Sequence, residues 1–184
     1  MRVVEQAHAL LAKVLSPGDL AIDATAGNGH DAAFLARAVG ATGHVHAFDL
    51  QTAAIEATRR LLRTKDLMTR VTLHHLGHEK MEEVLPSDLP GRVSVVTFNL
   101  GYLPGGDKSL VTEPVSTLPA LQSALRFLRP GGLLTVLAYP GHPGGREECE
   151  AVRREVATWT DSCEIREFAG AGVEAPILFG VRKS

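Results

Sequence analysis

The chain has 184 residues, of which 45% are hydrophobic and 22% charged, a size and balance that suit one globular domain with a substantial core and exclude a disordered chain. No apolar run approaches the ~20 residues that a membrane-spanning helix needs, and the first turn already carries Arg2 and Glu5, so neither a span nor a secretion signal is expected. A formal net charge of −2 excludes a surface coated in positive charge, so any nucleic-acid contact must use a local patch.

In chain order, Val4, Ala7, Leu10, Leu11, Val14 and Leu15 recur at helical spacing until Ser16-Pro17-Gly18 breaks the pattern, which predicts a helix ahead of the first strand. Leu20-Ala21-Ile22 reads as a short buried strand. A small-residue turn from Ala24 to Gly29 follows it, then a helical run through Ala32, Phe34, Leu35, Ala38 and Val39. His44 to Phe48 predicts a second strand, Ala53 to Leu62 a helix and Val71 to Leu73 a third strand, while the β-branched run Val93 to Phe98 predicts a buried fourth. Pro119 to Leu128 has helical periodicity and stops at Arg129-Pro130-Gly131-Gly132, after which Leu133 to Tyr139 is the fifth strand. Glu147 to Trp159 predicts another helix. Two last strands, around Glu164 to Phe168 and Ile177 to Val181, lie too close for a helical crossover and should pair antiparallel. The expected fold is a doubly wound, Rossmann-like α/β domain over residues 1–184. It has a mostly parallel seven-stranded sheet with an antiparallel C-terminal strand, and its ligand site lies beyond the carboxyl ends of the strands.

The first strand runs into Asp23-Ala24-Thr25-Ala26-Gly27-Asn28-Gly29-His30-Asp31. Gly27 and Gly29 let the backbone pass close to a ligand, and Asp49, closing the second strand, stands where a carboxylate accepts hydrogen bonds from a ribose diol. Gly27-x-Gly29-x-x-Ala32 also satisfies the dinucleotide fingerprint. A carboxylate at Asp23, however, repels a pyrophosphate and suits the cationic amino-acid end of S-adenosylmethionine. The segment Asp23 to Asp49 is therefore read as a site for that cofactor, contacted by Asp23, Thr25, Gly27, Asn28, Gly29, Asp31, Asp49 and Gln51. His78 and Glu79, after the third strand, are the expected neighbours of the adenine. His44, His46, His74 and His75 fall in strand-like stretches and read as structural. No HxxxH, HExxH or Cys/His cluster suggests a metal, and Cys149 and Cys163 lack CxxC spacing, as expected of a reducing cytoplasm.

Asn99-Leu100-Gly101-Tyr102-Leu103-Pro104 leaves the fourth strand at the same edge. It resembles the Asn/Asp-Pro-Pro-Tyr motif of amino-group methyltransferases, with Leu100-Gly101 in place of the two prolines. Asn99 and the Leu100 carbonyl would accept hydrogen bonds from the target nitrogen, which gains positive charge as it attacks a methyl group. Tyr102 would stack on a planar substrate. The combination of that motif with the glycine loop, Phe48-Asp49-Leu50-Gln51, His78-Glu79, Gly105-Gly106-Asp107-Lys108 and Tyr139-Pro140-Gly141-His142-Pro143-Gly144-Gly145 resembles the MnmM-type tRNA methyltransferases, a family earlier classed as rRNA methylases. The resemblance spans nearly the whole chain. It implies the class I methyltransferase fold, S-adenosylmethionine as cofactor, and methylation of the 5-aminomethyl nitrogen on the wobble uridine, or its 2-thio form, in the anticodon stem-loop of tRNA. Tyr139 and His142, after the fifth strand, would then close over the base. Lys108, Arg146, Arg153 and Arg154, with Arg59, Arg60 and Arg63 as a second cluster, are the cations to consider for phosphates. A homodimer is compatible with this reading. Methylation of another amine, in ribosomal RNA or a small molecule, is the alternative, and a nucleotide-binding protein of the NAD type is the third.

Overall fold

The chain opens with α1 (Val3–Ala12) and then alternates strand and helix: β1 (Leu20–Asp23), α2 (His30–Ala38), β2 (His44–Phe48), α3 (Thr52–Thr64) and β3 (Val71–His74). A 3-10 turn at His78–Lys80 leads into the short α4 (Met81–Val84), followed by β4 (Val93–Asn99), α5 (Pro114–Phe127), β5 (Leu128–Ala138), α6 (Gly145–Ala157), β6 (Cys163–Ala169) and β7 (Ile177–Lys183). This computed structural model describes residues 2–106, 110–172 and 174–184.

All seven strands join one sheet in the order β3-β2-β1-β4-β5-β7-β6. The first five are parallel, and β7 lies antiparallel between β5 and β6. One face packs Leu11 of α1, Leu35 of α2 and Leu62 of α3 against Val45 and Val95. The other packs Met81, Leu121 and Val152, from α4, α5 and α6, against Phe48, Phe98 and Val136. Every residue of β4 up to Asn99 is buried, as a strand covered on both faces requires. The chain leaves β1 toward β2 and leaves β4 toward β5 on the other side, so a crevice opens between the carboxyl ends of β1 and β4.

Two boundaries differ from the sequence reading. The helix expected from Pro119 begins at Pro114, with Glu113 as its N-cap, and runs through Pro119. Proline is favoured in a first turn, and the one at the true start is Pro114. The fifth strand begins at Leu128 rather than Leu133. Leu128 already pairs with Val93, and the register then shifts before Leu133 pairs with Val95, so Arg129-Pro130-Gly131-Gly132 is an irregularity within the strand.

A ladder of histidines lies on β2 and β3. His46 Nδ1 meets His74 Nε2 at 3.1 Å, His44 Nε2 meets Thr72 Oγ1 at 2.8 Å, and His74 stacks on Phe48 with centroids 4.4 Å apart. Burial, then repulsion from His44 and His74, pulls the His46 pKa down to about 4, and burial lowers those of His44 and His74 as well. A folded-state pKa below the unfolded value means that the unfolded chain binds more protons in the window between the two. The stability these rings contribute is present above about pH 6.5 and is lost as pH falls toward 4. Thermal melts should show Tm dropping across that window, and His46→Gln should flatten the drop; an unaltered profile in the variant would clear the ladder of this role.

Candidate active site

A cleft of about 610 Å³ opens over the carboxyl ends of β1 to β5 and is walled by the segment following each strand. After β1 the chain turns through Ala24 to Gly29 into α2, held from several sides. The Ala24 amide donates to the Thr97 carbonyl and the Ala26 amide to the Phe48 carbonyl. Asp49 Oδ2 accepts from the Gly27 amide at 2.9 Å, and Thr58 Oγ1 donates to the Gly27 carbonyl at 3.0 Å. Gly29 has φ 84°, and a Cβ there would stand 2.8 Å from the Thr58 Cα, so only glycine lets the turn seat on α3. Asp49 also accepts the Gln51 amide through Oδ1 at 2.9 Å. Two of its roughly four lone-pair sites are thereby used, which leaves acceptor capacity for a diol.

Asp23 does not stand where the sequence reading put it. It is fully buried beneath the turn and lies outside the cleft wall. Its Oδ1 accepts the Thr25 amide at 3.1 Å, and its Oδ2 has no partner among the described residues. Burial first, then the charges of Asp31 and Asp49, push its carboxyl well above the usual range. Asp23 is placed to brace the loop. Gly29, likewise, caps α2 without lining the cleft. Asp31 and Asp49 are the carboxylates of this region that do face it.

Asp31, in the first turn of α2, touches both sides of the crevice. Its Oδ1 accepts from His8 Nε2 at 2.6 Å, and its Oδ2 accepts from Asn99 Nδ2. The Asn99 amide nitrogen is thus engaged, and Oδ1 is the atom with which Asn99 can meet a ligand. The Asn99 backbone N–H donates to Thr25 Oγ1 at 2.7 Å, which ties the end of β4 to the glycine loop. Leu100 donates its amide to the Leu137 carbonyl at 2.8 Å and is 2% exposed, whereas Tyr102 is 40% exposed at the mouth, its ring edge-on to His142.

Two histidines on the wall are set in one tautomer each. His78 points Nδ1 at the Ala24 carbonyl at 3.2 Å, and His142 points Nδ1 at the Pro143 carbonyl at 2.9 Å. A carbonyl only accepts, so Nδ1 carries the proton and Nε2 holds a lone pair. Both Nε2 atoms are buried with no partner among the described residues. Burial lowers the His78 pKa, consistent with a neutral ring. Leu50, Gln51, Glu79 and Tyr139 also line the cleft. Burial and the nearby Asp31 raise the Tyr139 hydroxyl pKa. The residues expected at the site are thereby gathered at one edge, except for Asp23 and Gly29, behind the wall, and Lys108, which lies outside the described residues.

Residues 45–168 match the family described as "Putative rRNA methylase". The chain belongs to this family. A relative from Arabidopsis thaliana, described as "tRNA (mnm(5)s(2)U34)-methyltransferase, chloroplastic", is 45% identical over 162 residues, covering 82% of this chain and 57% of the relative. The chain thus spans little more than half of that relative's length. Among solved structures, a "putative rRNA-methylase" from Clostridium thermocellum matches with a TM-score of 0.95 at 37% identity, covering 100% of this chain and 98% of that one. A "putative methyltransferase" from Streptococcus mutans, in complex with SAH, matches at 0.89 and 31% identity, covering 100% and 99%. The fold is that of the class I methyltransferases, shared even by an O-methyltransferase from Thermotoga maritima at 16% identity and a TM-score of 0.64.

Several residues of the site have no counterpart among the sequence expectations. His8 reaches the site from α1, stacked on Phe34 with centroids 4.1 Å apart. Thr112 accepts the Gly101 amide at 2.8 Å and donates to Glu148 Oε2 at 2.7 Å. Thr117 donates to Glu148 Oε1 at 2.7 Å. Glu148 is 1% exposed. Burial raises its pKa, against the pull of the two hydroxyls. This acid braces the turn that carries Asn99 to Tyr102. One signal was readable: Glu148 stands four residues before the buried Val152, on the apolar face of α6. Arg153 leaves the group of phosphate candidates, since its guanidinium pairs with both Glu150 and Glu167.

Proposed function

We propose that this methylase transfers the methyl group of S-adenosylmethionine to the 5-aminomethyl nitrogen of the wobble uridine, or its 2-thio form, in the anticodon stem-loop of tRNA, as a single cytoplasmic domain. The observation that carries the reading is the Asn99 amide. Its nitrogen is engaged by Asp31, so its oxygen is the group offered to an acceptor. An oxygen dipole fixed there stabilises the positive charge that develops on an attacking amine more than it stabilises the neutral amine. An amine is also the acceptor implied by the description of the Arabidopsis relative.

The wall fits the cofactor in its chemistry. Asp31 gives a negative surface for the cationic amino-acid end, Asp49 retains acceptor sites for the ribose, and the bare Nε2 of His78 accepts from an exocyclic amino group such as that of adenine. Thr25, Gly27, Asn28, Gln51 and Glu79 complete that half. S-adenosylmethionine supplies a methyl group on a sulfonium, open to attack by a lone pair. The protein's part is to exclude water, hold the amine by Asn99 and the Leu100 carbonyl, and pack the uracil against Tyr102. Tyr139 and His142 flank the mouth, where the base would enter. The amine's proton can pass to water, so no strong base is needed. The family's description names ribosomal RNA, so an amine of that RNA, held in the same way by Asn99, is the second reading.

The test offers labelled S-adenosylmethionine with tRNA from a strain lacking the enzyme, with matched tRNA lacking the aminomethyl group, and with ribosomal RNA. Label should enter the first alone. Transfer to both tRNA preparations, or to ribosomal RNA only, would overturn the assignment.

A further inference from the structure

The hydrogen bond from Asn99 to Asp31 continues outward. Asp31 Oδ1 is held at 2.6 Å by His8 Nε2, and facing a carboxylate, that nitrogen donates. His8 belongs to α1, which lies outside the β1-loop-α2 unit that carries Asp31. Its ring lies flat on Phe34, with an interplanar angle of 2°, so it cannot swing without giving up that stack. The Asp31 side chain is only 13% exposed and that of His8 28%. The chain His8–Asp31–Asn99 therefore runs from a helix surface through a shielded carboxylate to the amide that faces the cleft.

We infer that His8 is a positioning residue for methyl transfer: it fixes Asp31, and through it the orientation and polarity of the Asn99 amide. An Asn side chain can present either end of its amide to a ligand, because the two ends are nearly the same in shape. A carboxylate on one side decides the matter, since it binds only the NH₂ end. A carboxylate with a second, rigid donor on its other oxygen cannot rotate away from that task. The negative charge behind Nδ2 also draws electron density toward Oδ1, so a charge-assisted chain of two hydrogen bonds strengthens the acceptor that the amine meets. This inference rests on the reading of Asn99 as the partner of the acceptor amine.

His8→Phe keeps a ring on Phe34 and removes the donor. With tRNA from the strain lacking the enzyme, it should lower kcat about tenfold, with calorimetric affinity for SAH changed by no more than a few fold, since Asp31 keeps its charge. In the Asn99→Ala background the same substitution should have little further effect, because coupled residues are non-additive. A second pair tests reach rather than shape. His8→Gln can still extend a donor to Asp31 and should recover most of the rate, whereas His8→Asn is too short and should not. Native kcat in His8→Phe, equal losses in both backgrounds, or equal losses in the Gln and Asn variants would overturn the inference while the Asn99 reading stands. Full activity in Asn99→Ala alone would remove that reading and this inference with it.

Discussion

Asn99→Ala is expected to lower the rate of methyl transfer about a hundredfold while leaving affinity for S-adenosylhomocysteine within a few fold, as loss of one preorganised transition-state partner does. The backbone supports this separation of effects. The Asn99 N–H is held by Thr25 Oγ1 and the Leu100 N–H by the Leu137 carbonyl, so neither anchor depends on the Asn99 side chain. What the substitution removes is the amide oxygen, along with the neutral partner of Asp31 Oδ2. That oxygen of Asp31 would then have only solvent for company, and SAH affinity measured beside the single-turnover rate reports whether the cofactor half is disturbed. An unchanged single-turnover rate would remove Asn99 from the mechanism.

Asp49→Ala should act on binding instead. The carboxylate gathers the Gly27 and Gln51 amides and, in the proposed complex, the ribose hydroxyls. Hydrogen bonds to a charged group contribute roughly 1.5 to 3 kcal/mol, which is about ten- to a hundredfold in the dissociation constant of S-adenosylmethionine. Asp49→Asn keeps one carbonyl oxygen and should fall between. Titration calorimetry checks both, and the same experiment with NAD should register no binding. NAD as the tighter ligand, or native affinity in Asp49→Ala, would overturn the assignment of this loop.

The parallel sheet was legible because β1 and β4 are short runs rich in apolar and β-branched residues and β2 alternates His44 and His46 with Val45 and Ala47, each strand followed by a glycine-containing turn or a helical repeat. The C-terminal pair was legible because too few residues separate Phe168 from Ile177 to hold a crossover helix. The start of α5 was misplaced because two prolines compete for it five residues apart, and local pattern does not say which one the tertiary structure places at a helix end. The position of Asp49, Asn99 and Tyr102 on the cleft wall was legible because each closes a strand or follows one directly, where the fold alone brings residues to that edge. Asp23 was misjudged for a related reason: it is the last residue of β1, and the pleat, which decides whether such a side chain points into the cleft or beneath it, flips with one residue of register. His8 and Thr112 could not be read at all. Their roles come from α1 and the segment before α5 packing against loops far away in sequence, and no spacing rule records that.

The glycine loop is fastened by donors and acceptors from Phe48, Asp49, Thr58 and Thr97, so its shape is set when the chain folds rather than when a ligand arrives. A small molecule docking there loses its own freedom but does not have to order the loop, which removes a conformational-entropy term that flexible phosphate and nucleoside clamps carry. Encounter should then be fast and only weakly sensitive to substitutions around the rim. Differences in affinity among nucleoside analogues should appear as differences in residence time, visible in stopped-flow traces as a near-constant association rate beside widely varying dissociation rates.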